Sequence, residues 1–254
     1  MTLSYQRFTT TGKSLMATVL FSWLAGCAAP EVVPPTDEEL DLMAGAVLAD
    51  AVYTETLLSE CGGVGPELKN YAQDLRAMWM YSHGDVLAGA DAQYSQSLAD
   101  EVTIYQEQPL ALRAVRFKHR HQNRAVAELR LRARGADNQR IVCERRFDEL
   151  ETTLTEKAYL DPASERDAMI HEQLIEAADG PVTLAEVPTI AADVPRDLEP
   201  GRSYREIEKR MEGRCPDAAL VVIHNTWPHE AYGIYCGEQS QSFVVCEWGE
   251  CRAP

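Results

Sequence analysis

Residues 231–247, AYGIYCGEQSQSFVVCE, hold two β-rich runs around a break at Gly237–Ser240. A four-residue hairpin loop over Gly237–Ser240 sets Cys236 across from Gln241. Tyr232, Ile234, Cys236, Phe243 and Val245 then share an apolar face, and Cys246 points the other way with Tyr235, Val244 and Trp248. In that register Cys236 and Cys246 cannot bond each other, so the economical pairing is Cys215 with Cys236 and Cys246 with Cys251. Leu220–His224 supplies a third strand. Upstream, Ser203-Tyr204-Arg205-Glu206 is a capping box that opens a short helix with Tyr204, Ile207 and Met211 on one side, ended by Cys215-Pro216. Residues 202–254 therefore read as a disulfide-stapled module of one helix and a three-stranded antiparallel sheet, small enough to need its staples.

Residues 180–201 contain Pro181, Pro188, Pro195 and Pro200 without sustained periodicity and read as an extended linker. Before it, residues 36–179 are patterned as a bundle of five or six helices, making the chain α+β. Thr36-Asp37-Glu38-Glu39 is a capping box, followed by Leu40, Ala44, Val47, Ala51 and Leu58 at helical spacing up to a stop at Cys61-Gly62-Gly63. Pro66 suits the first turn of a second helix, with Leu68, Tyr71, Leu75 and Met78 on its apolar face, and Ser82–Gly84 is where it breaks or bends. Leu87, Tyr94, Leu98, Val102 and Tyr105 suggest a third helix, and Pro109 the start of a fourth. Residues 125–146 fit a hairpin or a helix, and abundant Ala, Leu and Arg favour the helix. Past Gly135, Asp137 or Asn138 caps a helix whose face is Cys143, Phe147, Leu150 and Leu154, and Asp161-Pro162 opens the last, through Ile170 and Leu174. A bridge between Cys61 and Cys143 would restrict the unfolded chain by about 4 kcal/mol; the alternative is two buried thiols.

The first 26 residues form a leader: Arg7 and Lys13 precede a mostly apolar run from Leu15 to Leu24, too short to span a bilayer. Leu24-Ala25-Gly26-Cys27 resembles the lipobox of bacterial lipoprotein precursors. The resemblance implies cleavage before Cys27, its acylation, and membrane attachment through the lipid. Ala28 follows the cysteine where aspartate would signal inner-membrane retention, so the expected location is the outer membrane, facing the periplasm. Residues 27–35 make a proline-stiffened tether of about 25 Å. No later stretch reads as apolar enough to cross a membrane.

The chain carries 24 basic and 40 acidic residues among 254, a net charge of −16, which argues against nucleic acid as a partner. With Cys27 assigned to lipid, Cys61, Cys143, Cys215, Cys236, Cys246 and Cys251 are an even set, favouring three disulfides in an oxidising compartment. Zinc is the competing use, but no CxxC pair is present. Against this acidity, residues 113–146 hold eleven Arg or Lys and three acids. Arg113, Arg116, Arg120 and Arg124 form a stripe at helical spacing. It either docks acidic partners such as an envelope protein, lipopolysaccharide phosphate or peptidoglycan carboxylate, or neutralises acids such as Glu38, Glu39, Asp100 and Glu101, and the second reading is favoured.

The chain offers no motif for catalysis, metal or cofactor. His171-Glu172 starts HExxH, but Ile175 stands at its closing position, and GxSxG, SxxK and phosphate-loop patterns are missing. Tyr235 and Trp248, sharing a sheet face in the expected register, either form an exposed contact surface or pack on the bundle. The leading expectation is thus a non-catalytic outer-membrane lipoprotein acting through contact with envelope components. The alternatives are a hydrolase drawing on His224, His229 and Glu230, or an inhibitor presenting the Gly237–Ser240 loop.

Overall fold

A computed structural model describes residues 33–156, 160–178, 187–191, 193–212, 214–215, 218–237 and 240–253, and Pro35–Pro254 form one compact unit. The expected leader and Cys27 lie outside the described residues. The fold is α+β: five helices build a bundle, and a sixth packs beside a four-stranded antiparallel sheet.

Helix α1 (Asp37–Gly62) begins at the expected capping box. Glu39 N–H donates to Thr36 Oγ1 (3.3 Å), and Thr36 N–H donates to Glu39 Oε2 (2.8 Å). Leu40, Ala44, Val47, Ala51 and Leu58 are all buried. By length and composition α1 is apolar enough to cross a membrane, which corrects the expectation that no segment after the leader qualifies; its apolar residues are core residues of the bundle.

Helix α2 (Pro66–Ser97) has proline in its first turn and runs unbroken through Ser82–Gly84, merging two expected helices. One glycine costs a helix only about 1 kcal/mol, which packing along α1 offsets. Gly89 is needed: a Cβ there would lie 1.7 Å from the Leu174 carbonyl oxygen of α5 (Glu165–Glu176). Trp79, fully buried, occupies the core position expected for Met78, which is exposed.

After Leu98 the expected helix gives way to a hairpin of β1 (Thr103–Tyr105) and β2 (Gln108–Leu110), with Gln106 and Glu107 at positive φ. Two consecutive left-handed residues fit a tight two-residue hairpin turn. Pro109 therefore lies in a strand, and α3 starts at Leu112 and ends at Leu129. Residues 125–146 belong to two helices, with left-handed Arg130, a short 3-10 turn at Leu131–Ala133 and extended Arg134 and Gly135 between them, and α4 (Ala136–Thr155) buries Cys143, Phe147, Leu150 and Leu154. Ser164, not Asp161-Pro162, opens α5, its side chain accepting from Asp167 N–H (3.1 Å). Cys61 and Cys143 are bridged, joining the end of α1 to α4.

The sheet has the order β3 (Ala218–Thr226), β4 (His229–Cys236), β5 (Ser240–Glu247) and β6 (Glu250–Arg252). The sixth strand was not anticipated. Trp248 and Gly249, both at positive φ, form the turn before it, so Trp248 is a turn residue and not part of a strand face.

The register of β4 and β5 differs from expectation by one residue. Cys236 faces Ser240, because Gly237 turns the chain at φ +73° and pairing resumes sooner. A slip of one inverts a strand. Phe243 and Val245 consequently join Tyr235 and Ile223 in a core against α3, while Val244 and Cys246 join Tyr232 and Ile234 on the side of α6 (Tyr204–Met211). Cys236 and Cys246 thus share a face, contrary to the argument that separated them. The bridges are nonetheless Cys215–Cys236 and Cys246–Cys251. Cys246 lies directly opposite Cys251 across β5 and β6, whereas Cys236 and Cys246 sit near opposite ends of the β4–β5 ladder.

The described part of the expected linker is packed. Val187, Ile190, Ala191 and Val194 are buried, Thr189 N–H donates to the buried Asp91 (2.8 Å), and Ala111 N–H donates to Ile190 O (2.7 Å). These anchors come from distant helices and leave no local periodicity. The segment is a strap within one compact unit, in place of a boundary between two domains.

Candidate functional site

Helix α3 carries most of the chemistry because it is shared by both parts of the fold. Its first half, through Ala114 and Val115, packs on the sheet. One turn later the same face presents Lys118 and His119, both buried, to the strap. His119 Nε2 donates to Val194 O (3.1 Å), and burial holds the imidazole below its ordinary range, hence neutral. Burial likewise lowers the Lys118 ammonium, opposed in part by the Asp193 carboxylate.

Clefts open on both sides of strap residues Arg196 and Asp197. One, of about 360 Å³, is lined by Glu55, Glu60, Lys118 and Gln122; the other, of about 450 Å³, by Arg116, Arg120, Asn123, Tyr204 and the β3 residues Leu220–Val222. Arg196 holds the divider in place, donating to Glu60 (3.1 Å) and pairing with Asp197 (3.0 Å). Lys118 and Arg196 escaped the sequence reading. The signal was present in Lys118-His119, polar residues four positions after the core pair Ala114 and Val115.

The arginine stripe is divided in use. Arg113 pairs with Glu101 (2.5 Å), and Arg124 pairs with Glu128 (3.0 Å) while lying over the Tyr53 ring. Arg116 donates to Gly237 O and covers the Tyr235 ring. Neutralisation of Glu101 matches the favoured reading, but Glu39 is taken by Arg166 from α5. Arg120 is exposed and has no ion pair among the described residues.

Tyr235 is buried, with its hydroxyl donating to Leu112 O (2.7 Å), and it packs on the bundle. Trp248, 67% exposed, meets Trp227 edge-on at the neighbouring turn. The two residues expected to form one surface are therefore apart. Their separation follows from the one-residue slip and the turn at Trp248.

Of the residues of the hydrolase alternative, Glu230 is committed to a buried hydrogen-bond network. Glu230, 1% exposed, accepts from Arg202 N–H (2.9 Å), Ser203 N–H (2.9 Å) and Tyr232 OH (2.6 Å), and so caps α6. The Ser203 side chain makes no capping bond, so the expected box is replaced by a carboxylate from β4. Burial alone pushes the Glu230 carboxyl up, but the hydrogen bonds from Tyr232, Ser203 and Arg202 outweigh it and hold the group below the usual range. His224 lies opposite Ala231 and beside the Tyr105 ring, while His229 pairs with Thr226 at the strand end. Among the described residues no group of three or more His, Cys, Asp or Glu is arranged to hold a metal ion. No family model, curated protein or solved structure matches this chain.

Proposed function

We propose that this chain is a lipid-anchored envelope protein, held through acylated Cys27 at the periplasmic face of the outer membrane, that works by binding envelope protein and not by catalysis. The supporting observation is the use of cysteine. Six of seven pair among themselves, and the seventh is Cys27 of the lipobox-like sequence. Three bridges suit a thiol-oxidising space, and the position of the seventh cysteine at the end of the lipobox-like sequence suits attachment of lipid. Binding is favoured because Glu230, the acid next to His229 in sequence, serves as a buried cap, while open clefts line the strap. Metabolic labelling with a radioactive fatty acid tests the reading. The native chain incorporates label and fractionates with outer membrane, and Cys27→Ser loses both; an unlabelled cytosolic product with reduced thiols overturns it.

A further inference from the structure

The 450 Å³ cleft runs between the outer strand of the sheet and a basic helix face. Strand β3 is the outer strand of its sheet, pairing only with β4. Among the described residues, no backbone group of Ala219–His224 makes a hydrogen bond outside that ladder. Such edges are normally blunted by charge, proline or a covering segment. Ala218–Ile223 reads AALVVI, with neither charge nor proline, and its register irregularity comes only after Val222. Across the cleft stand Arg116, Arg120 and Asn123 of α3, with strap residues Leu198, Pro200 and Arg196, the last paired with Asp197.

An edge with unused backbone donors and acceptors accepts a further strand, which must run about 4.8 Å away, and a groove between that edge and a helix selects its side chains. We infer that β3 and this cleft take an extended acidic peptide of a partner protein by strand addition. Charge selects the occupant: this basic face belongs to a chain of net charge −16, and Arg120 carries a charge with no ion pair among the described residues. The inference rests on the binding reading above and names the partner's chemistry.

The test uses the full chain with its disulfides formed and a fluorescent octapeptide of alternating valine and glutamate. The expected result is saturable binding at least about tenfold tighter than that of the valine–lysine counterpart, weakened about tenfold by Arg120→Glu and by N-methylation of alternate peptide amides. Amide exchange slows within Ala219–His224 when the peptide is bound. Equal binding of the lysine or N-methylated peptide overturns the inference. So does protection elsewhere, or an edge already protected in the free protein by pairing with a second copy. Because Arg120 is exposed, its variant folds normally, which the unchanged exchange of α1 verifies. None of these readouts depends on acylation, so failure here leaves the Cys27 result intact, and the reverse also holds.

Discussion

Between Asp37 and Glu176, five helices share an apolar core centred on Trp79, Leu58 and Phe147, and a single disulfide closes a sequence separation of 82 residues. Between Arg202 and Arg252, by contrast, apolar contacts split over two sheet faces, bridges span separations of only 21 and 5, and a buried carboxylate joins helix to sheet. The contrast shows how local sequence relates to cohesion. The bundle gets its shape from side-chain periodicity and gains from its staple mainly by confining the unfolded chain. The sheet region, with less core on either face, depends on particular polar and covalent links.

The largest expected effect comes from removing the long bridge. Cys61→Ser with Cys143→Ser should lower unfolding free energy by about 4.5 kcal/mol, against about 2 kcal/mol for the Cys246/Cys251 pair, from loop closure alone. Denaturant titration of both variants measures the gap, and equal losses would mean that the short bridge holds native structure and not merely the unfolded chain.

A smaller effect, confined to the sheet region, is expected for Glu230→Gln. The amide group turns one acceptor into a donor facing Ser203 N–H or Arg202 N–H, at a cost of about 2 kcal/mol. Amide exchange should speed up through α6 while α1 is unchanged. Uniform acceleration would show that the two regions open together.

The smallest effect is in acid. Arg166, followed by the Thr36 amide, holds the Glu39 carboxyl at about 2, below its ordinary 4.5. A lowered carboxyl contributes stability that is present above about pH 4.5 and lost as pH falls toward 2. Glu230, also lowered, behaves in the same direction. Arg166→Gln should flatten the Glu39 share of the acid slope, read by thermal melts at a series of pH values; an unchanged slope would remove Glu39 from the account.

Legibility followed the distance between interacting residues. The Thr36 box, the Pro66 start and the face of Cys143, Phe147, Leu150 and Leu154 depend on neighbours three or four positions away, and spacing reveals them. The strap is invisible to spacing because Thr189, Ile190 and Val194 are fixed by Asp91, Ala111 and His119, whose proximity no local pattern encodes. Of the candidate site, the arginine stripe was visible as a charge period, but its neighbour β3 and the clefts beside Arg196 were not.

Sequence alone therefore determined the α+β class, most of the helix faces and, with Cys27 set aside, an even six cysteines for three bridges. Tertiary structure decided which side of the sheet each residue of β5 occupies, that Glu230 and not Ser203 caps α6, and that Arg120 shares a cleft with the outer strand β3. The physical reason is that helical patterns survive small errors in boundary, whereas one residue more or less in a hairpin turn reverses every side chain beyond it. Partners of buried polar groups, likewise, are chosen by the folded chain and not by proximity in sequence.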